Sequence, residues 1–113
     1  MSISILPLSS GNIGSICRAL SLSDIKYNIC SKVSLSNNLK NSHCLIIPGV
    51  GAYDKASNYL YSNQLVDPIK EFASSGGKII GICLGFQLLF KEGYEGGKIS
   101  KGLGFIDGLV EDS

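Results

Sequence analysis

The chain has 113 residues, a formal net charge of +1 and only 17% charged residues. Its mean hydropathy of +0.24 makes it apolar for its length. This length fits one domain with a core of ordinary size. The balanced charge, without a basic run or an acidic tail, excludes the strongly charged surface typical of proteins that bind nucleic acids or membrane surfaces.

Four cysteines, at positions 17, 30, 44 and 83, lack the CxxC spacing of zinc sites. We therefore expect reduced thiols in a cytoplasmic protein, with no disulfide framework, no metal and no cofactor. No apolar run has the length of a membrane span. Because no positively charged region precedes the first apolar run, we expect that run to be a strand and not a signal peptide.

The first third of the chain predicts a strand, a helix and a second strand. The strand covers residues 3–8, the helix 13–22 and the second strand 27–30. The loop at 11–14 lacks the full dinucleotide fingerprint, which disfavours phosphate binding there. Residues 34–42 form a polar connection with little pattern of their own.

A third strand is predicted at 44–47, and the loop Pro-Gly-Val-Gly-Ala-Tyr follows it at 48–53. A proline and two glycines make a rigid loop that can present backbone N–H groups in unusual conformations. In an open α/β sheet, ligands gather at the carboxyl ends of the strands. Helices are predicted at 54–62 and 67–74, the second with Pro68 in its first turn and the glycines at 76–77 as its stop.

The most informative segment is 78–90, where a short β-branched run leads into Gly81-x-Cys83-x-Gly85 and a second apolar run follows. The first run is typical of a buried parallel strand, whereas the second is better explained as a helix. A strand that turns sharply into a helix, with a nucleophile at the corner, is a nucleophile elbow. Glycines two residues before and after the corner suit it, because strand and helix backbones pass very close there.

At such a corner the Cys83 thiol meets a helix N-terminus, whose unpaired N–H groups favour a thiolate. The backbone N–H of Leu84 points to where an oxyanion would form. The competing interpretation treats Cys83 as a small apolar residue of a core strand. The paired glycines and the strand-to-helix switch favour the elbow.

Beyond Phe90, the glycine-rich segment 91–97 predicts an exposed loop, and 102–110 a short strand region broken by turns. Strands and helices alternate along the chain. We therefore predict a three-layer α/β fold of the flavodoxin-like kind, with a mostly parallel sheet and helices on both faces.

Three motifs together, at 48–53, 81–90 and 102–108, resemble those of class I glutamine amidotransferases. The Pro-Gly-Val-Gly-Ala-aromatic loop is similar to that of the branch formed by the glutaminase subunits of imidazole glycerol phosphate synthase, of histidine biosynthesis. The resemblance runs from the first strand to the last residue. It implies that residues 1–113 are the N-terminal part of such a domain, truncated before the last strands.

The resemblance implies that Cys83 attacks the side-chain amide of glutamine to give a thioester and ammonia, and that water then releases glutamate. Backbone N–H groups of Val50, Gly51 and Leu84 would form the oxyanion hole. Contacts to substrate glutamine are implied for Gly49, Gly51, Gln87 and Glu95. For the last two, a solvated surface role is the competing interpretation.

The family also implies a (β/α)₈ cyclase partner that receives the ammonia, and Gly11 and Asn12 match a loop near that interface. The chain departs from the pattern at Pro7 and Leu8, where the family commonly has an acidic and an aromatic residue. It also lacks the family's late histidine and carboxylate, and its only histidine, His43, directly precedes the third strand. We therefore expect these residues alone to be inactive and prone to self-association.

Two alternatives stay open. One is an amidotransferase-like subunit that supplies another acceptor enzyme. The other is a non-catalytic flavodoxin-like module that binds an anion at the loop 49–51 and carries Cys83 as a redox-sensitive core thiol.

Overall fold

A parallel four-stranded sheet forms the centre of the fold in the computed structural model, which describes residues 2–8, 13–95 and 97–111. The strands lie in the order β2-β1-β3-β4, and all neighbours are parallel. The predicted α/β fold with a mostly parallel sheet is confirmed. The bounds are β1 (Ser2–Ile5), β2 (Lys26–Ile29), β3 (Cys44–Gly49) and β4 (Lys78–Cys83).

Helices cover both faces of this sheet, as predicted. One face carries α1 (Ile13–Leu22), which packs on Ile46 and its neighbours. Because successive side chains of a strand point to opposite faces, Leu45 and Ile47 enter a second core cluster on the other face. The helices on that face are α2 (Leu35–Leu39), α3 (Tyr53–Ser62) and α4 (Val66–Ser74).

A second, three-stranded sheet follows the main one, and the sequence patterns did not predict it. Its order is β6-β5-β7, with β5 and β6 antiparallel and β5 and β7 parallel. The prediction of a loop at 91–97 was wrong, because residues 91–95 belong to a strand that pairs with residues further along the chain. The bounds are β5 (Phe90–Glu95), β6 (Lys98–Lys101) and β7 (Ile106–Glu111).

Two hydroxyls of α3 hold the second sheet against the first. Ser57 Oγ donates to the carbonyl oxygen of Lys101 at 2.6 Å, and the Tyr61 hydroxyl donates to that of Gly102 at 2.7 Å. Ser57 is buried although it is polar. These bonds fix β6 relative to the helix that follows the loop 48–52.

Several predicted boundaries were also wrong. The connection at 34–42 contains α2, whose Leu35 and Leu39 are buried and anchor it to the core. The first strand ends at Ile5 and not at residue 8, whereas β3 continues through Pro48 to Gly49. In the described part of the chain, no helix combines the length and apolar character that crossing a bilayer requires.

Candidate active site

Cys83 lies at a sharp corner, as the elbow pattern predicts. It is the last residue of β4, and the short helix α5 (Leu84–Gln87) begins at the next residue. Its backbone has φ 55° and ψ −115°, a combination that side chains disfavour and that stores about 1–3 kcal/mol of strain. The residue is exposed, so this conformation leaves the thiol open to a ligand.

The two glycines around Cys83 allow this corner to form. A Cβ on Gly81 would lie 2.6 Å from the backbone carbonyl carbon of Gly85. A Cβ on Gly85 would collide with the carbonyl oxygen of Ile47 in β3. The helix is shorter than the predicted one, since α5 ends at Gln87 and Phe90 already begins β5.

The loop after β3 lies directly beside this corner. Gly49 is the register partner of Cys83 across the two parallel strands. The segment that follows β1 supports the loop, because the N–H of Leu8 donates to the carbonyl of Pro48 at 3.0 Å. Gly51 has φ 127°, which only glycine adopts without strain. The backbone of this loop is therefore held in an unusual conformation next to the thiol.

A pocket of about 620 Å³ opens at the junction of the corner and the loop. It brings together the predicted nucleophile, the residues predicted for the oxyanion hole and two residues predicted to bind substrate, one of which, Gly51, belongs to both sets. Gly49 lies beside it through its pairing with Cys83. The lining residues are Val50, Gly51, Cys83, Leu84, Phe86, Gln87 and Phe90.

Sequence reasoning did not identify the aromatic side of this pocket. Phe86 and Phe90 form an edge-to-face pair with their ring centroids 5.6 Å apart and an interplanar angle of 82°. Half of Phe86 is exposed. Their spacing of four residues, which brings side chains together on a helix, was the available signal, but it was used only to predict a helix.

Some predicted residues lie away from the pocket. Glu95 ends β5 and pairs with Lys98 of β6, and it is not among the lining residues. Gly11 and Asn12 lie outside the described residues.

The single histidine of the chain lies where the strands of the main sheet begin, whereas Cys83 lies where they end. His43 directly precedes β3, and its Nδ1 accepts a hydrogen bond from the N–H of Ser2 at 3.4 Å. It is six residues before Gly49, which pairs with Cys83, so about 20 Å of strand separates it from the nucleophile. His43 cannot exchange a proton with Cys83 directly.

Cys83 also differs from the other cysteines in its surroundings. All four thiols are free, but Cys30 and Cys44 are buried and Cys17 is partly covered. Burial raises the pKa of the Cys44 thiol, which disfavours its thiolate. Among the described residues, no group of three or more His, Cys, Asp and Glu side chains is placed to hold a metal ion.

Several curated proteins similar to this chain are named as the same enzyme subunit. A relative from Cyanophora paradoxa, named "Imidazole glycerol phosphate synthase subunit hisH", is 38% identical over 109 residues, which cover 96% of this chain and 48% of the relative. A relative of the same name from Rhodopirellula baltica is 39% identical over 108 residues, covering 96% of this chain and 51% of the relative. The chain thus spans about half the length of the curated relatives it matches.

Comparison with solved structures shows the same fold. A crystal structure assigned to peptidase E of Listeria monocytogenes EGD-e superposes with a TM-score of 0.71 at 12% sequence identity, covering 80% of this chain and 50% of that one. The profile of the CobB/CobQ-like glutamine amidotransferase domain matches residues 18–111, which include β2 to β7, the elbow and the loop 48–53. On this match, and with the elbow geometry in place, the chain belongs to the CobB/CobQ-like glutamine amidotransferase domain family.

Proposed function

We propose that this chain is the nucleophile-bearing, N-terminal part of a glutaminase subunit of imidazole glycerol phosphate synthase. The observation that carries the proposal is the position of Cys83, at a strained corner that opens into a pocket together with Val50, Gly51 and Gln87. The family match supports an amidotransferase, and the names of the relatives support the histidine branch.

The reaction begins when the Cys83 thiolate forms a bond to the side-chain carbonyl carbon of glutamine. The tetrahedral intermediate then collapses, and its C–N bond breaks as the leaving nitrogen accepts a proton and departs as ammonia. Water adds to the resulting thioester, the C–S bond breaks, and glutamate and the free thiol are released. The exposure of Cys83 supports this role, since the carbonyl must approach the sulfur in the open pocket.

Backbone amides stabilise the negative charge that develops on the carbonyl oxygen. The N–H of Leu84 is one donor, and N–H groups of Val50 and Gly51 are the others. The register pairing of Gly49 with Cys83 supports this arrangement, because it holds the loop beside the corner. The positive φ of Gly51 turns the backbone away from the extended conformation of a strand, which supports a role of its peptide groups outside strand pairing.

The remaining pocket residues make polar contacts with one part of the substrate and apolar contacts with another. Gln87 offers an amide to the polar groups of glutamine, while Phe86 and Phe90 pack against its methylene groups. Gly49 and Gly51 leave room for the substrate near the loop. The predicted contact of Glu95 stays a prediction, as this residue lies outside the pocket.

Proton transfer requires a base that the single histidine of this chain does not supply. General-base catalysis needs a group within hydrogen-bonding reach of the thiol, and His43 lies at the opposite edge of the sheet. We place the histidine and its carboxylate in the polypeptide that corresponds to the unmatched half of the relatives. The ammonia then passes to a (β/α)₈ cyclase in the cytoplasm, the acceptor implied by the histidine branch.

Labelling with a diazo-ketone analogue of glutamine tests this proposal. The reagent is incubated with the chain near pH 8.5, where thiols begin to ionise without a base, and the modified cysteine is identified by peptide mass spectrometry. We expect modification of Cys83 alone, and protection by L-glutamine but not by D-glutamine. Iodoacetamide, which has no glutamine moiety, is the control for simple exposure.

Two outcomes would contradict the proposal. If L-glutamine gives no protection from the analogue while iodoacetamide labels Cys83 freely, the pocket does not recognise glutamine. If Cys17 reacts with the analogue as fast as Cys83, the elbow confers no selectivity. The non-catalytic binding module predicts the first outcome. An acceptor other than the cyclase would leave the labelling unchanged and would be found as a different co-purifying subunit.

A further inference from the structure

A second pocket, of about 740 Å³, lies between α2, α4 and the start of β4, and we call it the α2–α4 pocket. Its lining comes from the segments 36–43 and 67–78. Small-molecule sites commonly have volumes of about 300–1,000 Å³. Lys78, which lines the pocket, begins β4, whereas Cys83 ends it. Five residues of strand, about 17 Å, therefore separate the α2–α4 pocket from the candidate active site.

Apolar side chains form one part of the lining. Leu39 of α2 and Phe72 of α4 both line the pocket and are only 6% and 9% exposed. The turn after α4 makes room for the Phe72 ring, because a Cβ on Gly77 would lie 2.4 Å from a ring carbon. The N–H of Gly77 also donates to the Phe72 carbonyl at 2.9 Å. The backbone thus fixes the apolar part of the pocket before any ligand enters.

Charged side chains of opposite sign line different ends of the pocket. Asp67 and Glu71, which are four residues apart, project from one side of α4. They lie about 5–10 Å back along the axis from the C-terminal end of α4. Lys40, His43 and Lys78 lie where the strands of the main sheet begin: Lys40 follows α2, and the N–H of Lys78 donates to the His43 carbonyl at 3.1 Å.

The two ends therefore suit ligand groups of opposite charge. Ionised carboxylates only accept hydrogen bonds, and lysine ammonium groups only donate them. The His43 ring adds a donor, because its Nδ1 accepts the N–H of Ser2 and the proton of the neutral ring is then on Nε2. The end at Asp67 and Glu71 suits a cation, and the end at Lys78 suits an anion.

We propose that the α2–α4 pocket binds a small zwitterion of the ω-amino acid kind, in which an apolar stem separates an ammonium group from a carboxylate. The carboxylates of α4 bind the ammonium group, the apolar lining packs against the stem, and the donors at the other end bind the ligand carboxylate. A ligand with one charge would leave the other set of charged groups without a partner as water is displaced, which is costly. The inference does not require that glutamine be the substrate at Cys83.

Titration with ε-aminocaproate tests the proposal. Caproate and hexylamine are the controls, since each keeps the stem and one of the two charges. Binding is followed in two-dimensional NMR spectra of the isotope-labelled chain at neutral pH. We expect ε-aminocaproate to shift the amide signals of Gly77 and Lys78, to leave those of Gly51 and Leu84 unchanged, and to bind at least fivefold more tightly than either control.

Two substitutions assign the ends of the ligand. Glu71→Gln should weaken the binding of ε-aminocaproate at least fivefold and leave that of caproate within twofold, because only the ammonium group loses its partner. Lys78→Gln should weaken ε-aminocaproate and caproate but not hexylamine. Lys70→Gln is the matched control, as Lys70 is an exposed residue of α4 next to Glu71 that does not line the pocket. It should leave all three affinities within twofold of wild type.

The spectrum of each variant establishes that it is folded. The proposal is overturned if ε-aminocaproate shifts no signal of the pocket, if it binds no more tightly than the singly charged controls, or if Lys70→Gln weakens it as much as Glu71→Gln. Shifts confined to Gly51 and Leu84 would place the ligand at the candidate active site and would also overturn it. Labelling of Cys83 by the glutamine analogue does not depend on these results, so the two proposals can fail separately.

Discussion

At the scale of single residues, Cys83 has a backbone conformation that lowers stability but suits its proposed role as nucleophile. Its φ of 55° and ψ of −115° are costly for any residue with a Cβ. Its side chain is exposed and gains little from packing. The fold thus tolerates local strain at the residue proposed as the nucleophile, and functional sites are where strained conformations tend to occur.

A pair of substitutions measures this strain. Cys83→Gly should be more stable than Cys83→Ala by about 1 kcal/mol, because glycine adopts the corner conformation freely while alanine retains the Cβ. Urea unfolding of both variants gives the difference. Equal stabilities, or a more stable alanine variant, would mean that the corner is not strained.

The ring and the hydroxyl of Tyr53, the first residue of α3, have opposite effects on stability. It is 2% exposed, and its hydroxyl has no hydrogen-bond partner among the described residues. A Cβ on Gly93 would come within 2.5 Å of its ring, so the second sheet packs tightly against it. The ring contributes to the core, whereas the hydroxyl bears a desolvation cost that no bond repays.

Tyr53→Phe should therefore leave the free energy of unfolding unchanged or raise it by up to about 2 kcal/mol. Tyr61→Phe on the same helix is the matched control with the opposite sign. It removes the hydrogen bond to the carbonyl of Gly102 and should cost about 0.5–1.5 kcal/mol. Denaturant unfolding at neutral pH measures both, and a destabilised Tyr53→Phe would reveal a partner for the hydroxyl.

The same tyrosine predicts a response to alkaline pH. Burial, followed by the nearby Tyr61 and Glu92, raises the pKa of Tyr53 to about 12, whereas an unfolded tyrosine titrates near pH 10. The folded state therefore binds more protons than the unfolded state between these values. The part of the stability that this shift contributes is fully present below about pH 10 and is lost as the pH rises towards about 12. The loss should be smaller in Tyr53→Phe, although the raised pKa of Tyr61 keeps part of it.

At the scale of elements, the elbow depends on the contact between β4, α5 and β3. Gly81 lets the strand pass the backbone of Gly85, and Gly85 lets the helix pass the carbonyl of Ile47. In both contacts the nearest atoms are backbone atoms of another element, α5 for Gly81 and β3 for Gly85. A side chain at either glycine would have to push an entire element away.

Gly85→Ala should accordingly destabilise the chain by about 3 kcal/mol, the upper end of the usual cost of overpacking. Gly14→Ala is the control, since a Cβ there meets nothing within 4 Å and alanine favours the helix α1. It should be neutral or stabilising by up to about 1 kcal/mol. Thermal unfolding compares the two, and a harmless Gly85→Ala would show that the corner has room to adjust.

At the scale of the whole molecule, the proposed nucleophile and the only histidine lie at opposite ends of the strands of one sheet. Parallel strands place all carboxyl ends together, so Cys83 shares its edge with the loop after β3. His43 belongs to the amino edge, where it accepts a hydrogen bond from the start of β1. The topology itself therefore separates the thiol from the imidazole.

The chain by itself should release no ammonia from glutamine above the rate of the Cys83→Ala variant, because its only histidine, His43, lies too far from the thiol to accept its proton. Ammonia is measured by coupling its release to a dehydrogenase. His43→Ala is the control, and it should have no effect. Turnover by the wild-type chain that Cys83→Ala abolishes would contradict this prediction, and its dependence on His43 would contradict the placement of that residue.

Local patterns were sufficient wherever a structural element depends on its own residues. The sequence predicted a parallel strand and the corner at Cys83 because β-branched residues, paired glycines and a following apolar run are short-range signals. The predicted burial of that strand was wrong, since four of the six residues of β4 are exposed. The helix α1 was predicted with its exact ends for the same reason. Of the site, the sequence identified Cys83, Leu84 and Gln87 from the elbow segment.

Other features were decided only by contacts between distant parts of the chain. The strand β5 contains glycine and charged residues and was interpreted as a loop, yet it pairs with β6 and β7 because the tertiary fold brings those segments alongside it. Whether Glu95 reaches the pocket, and whether Phe86 lines it, depends in the same way on how the two sheets pack. By itself the sequence determined the fold class and singled out Cys83 as the candidate nucleophile. The tertiary structure decided which residues surround Cys83 and how far each strand is covered, because burial is a property of the whole assembly of elements and not of any one segment.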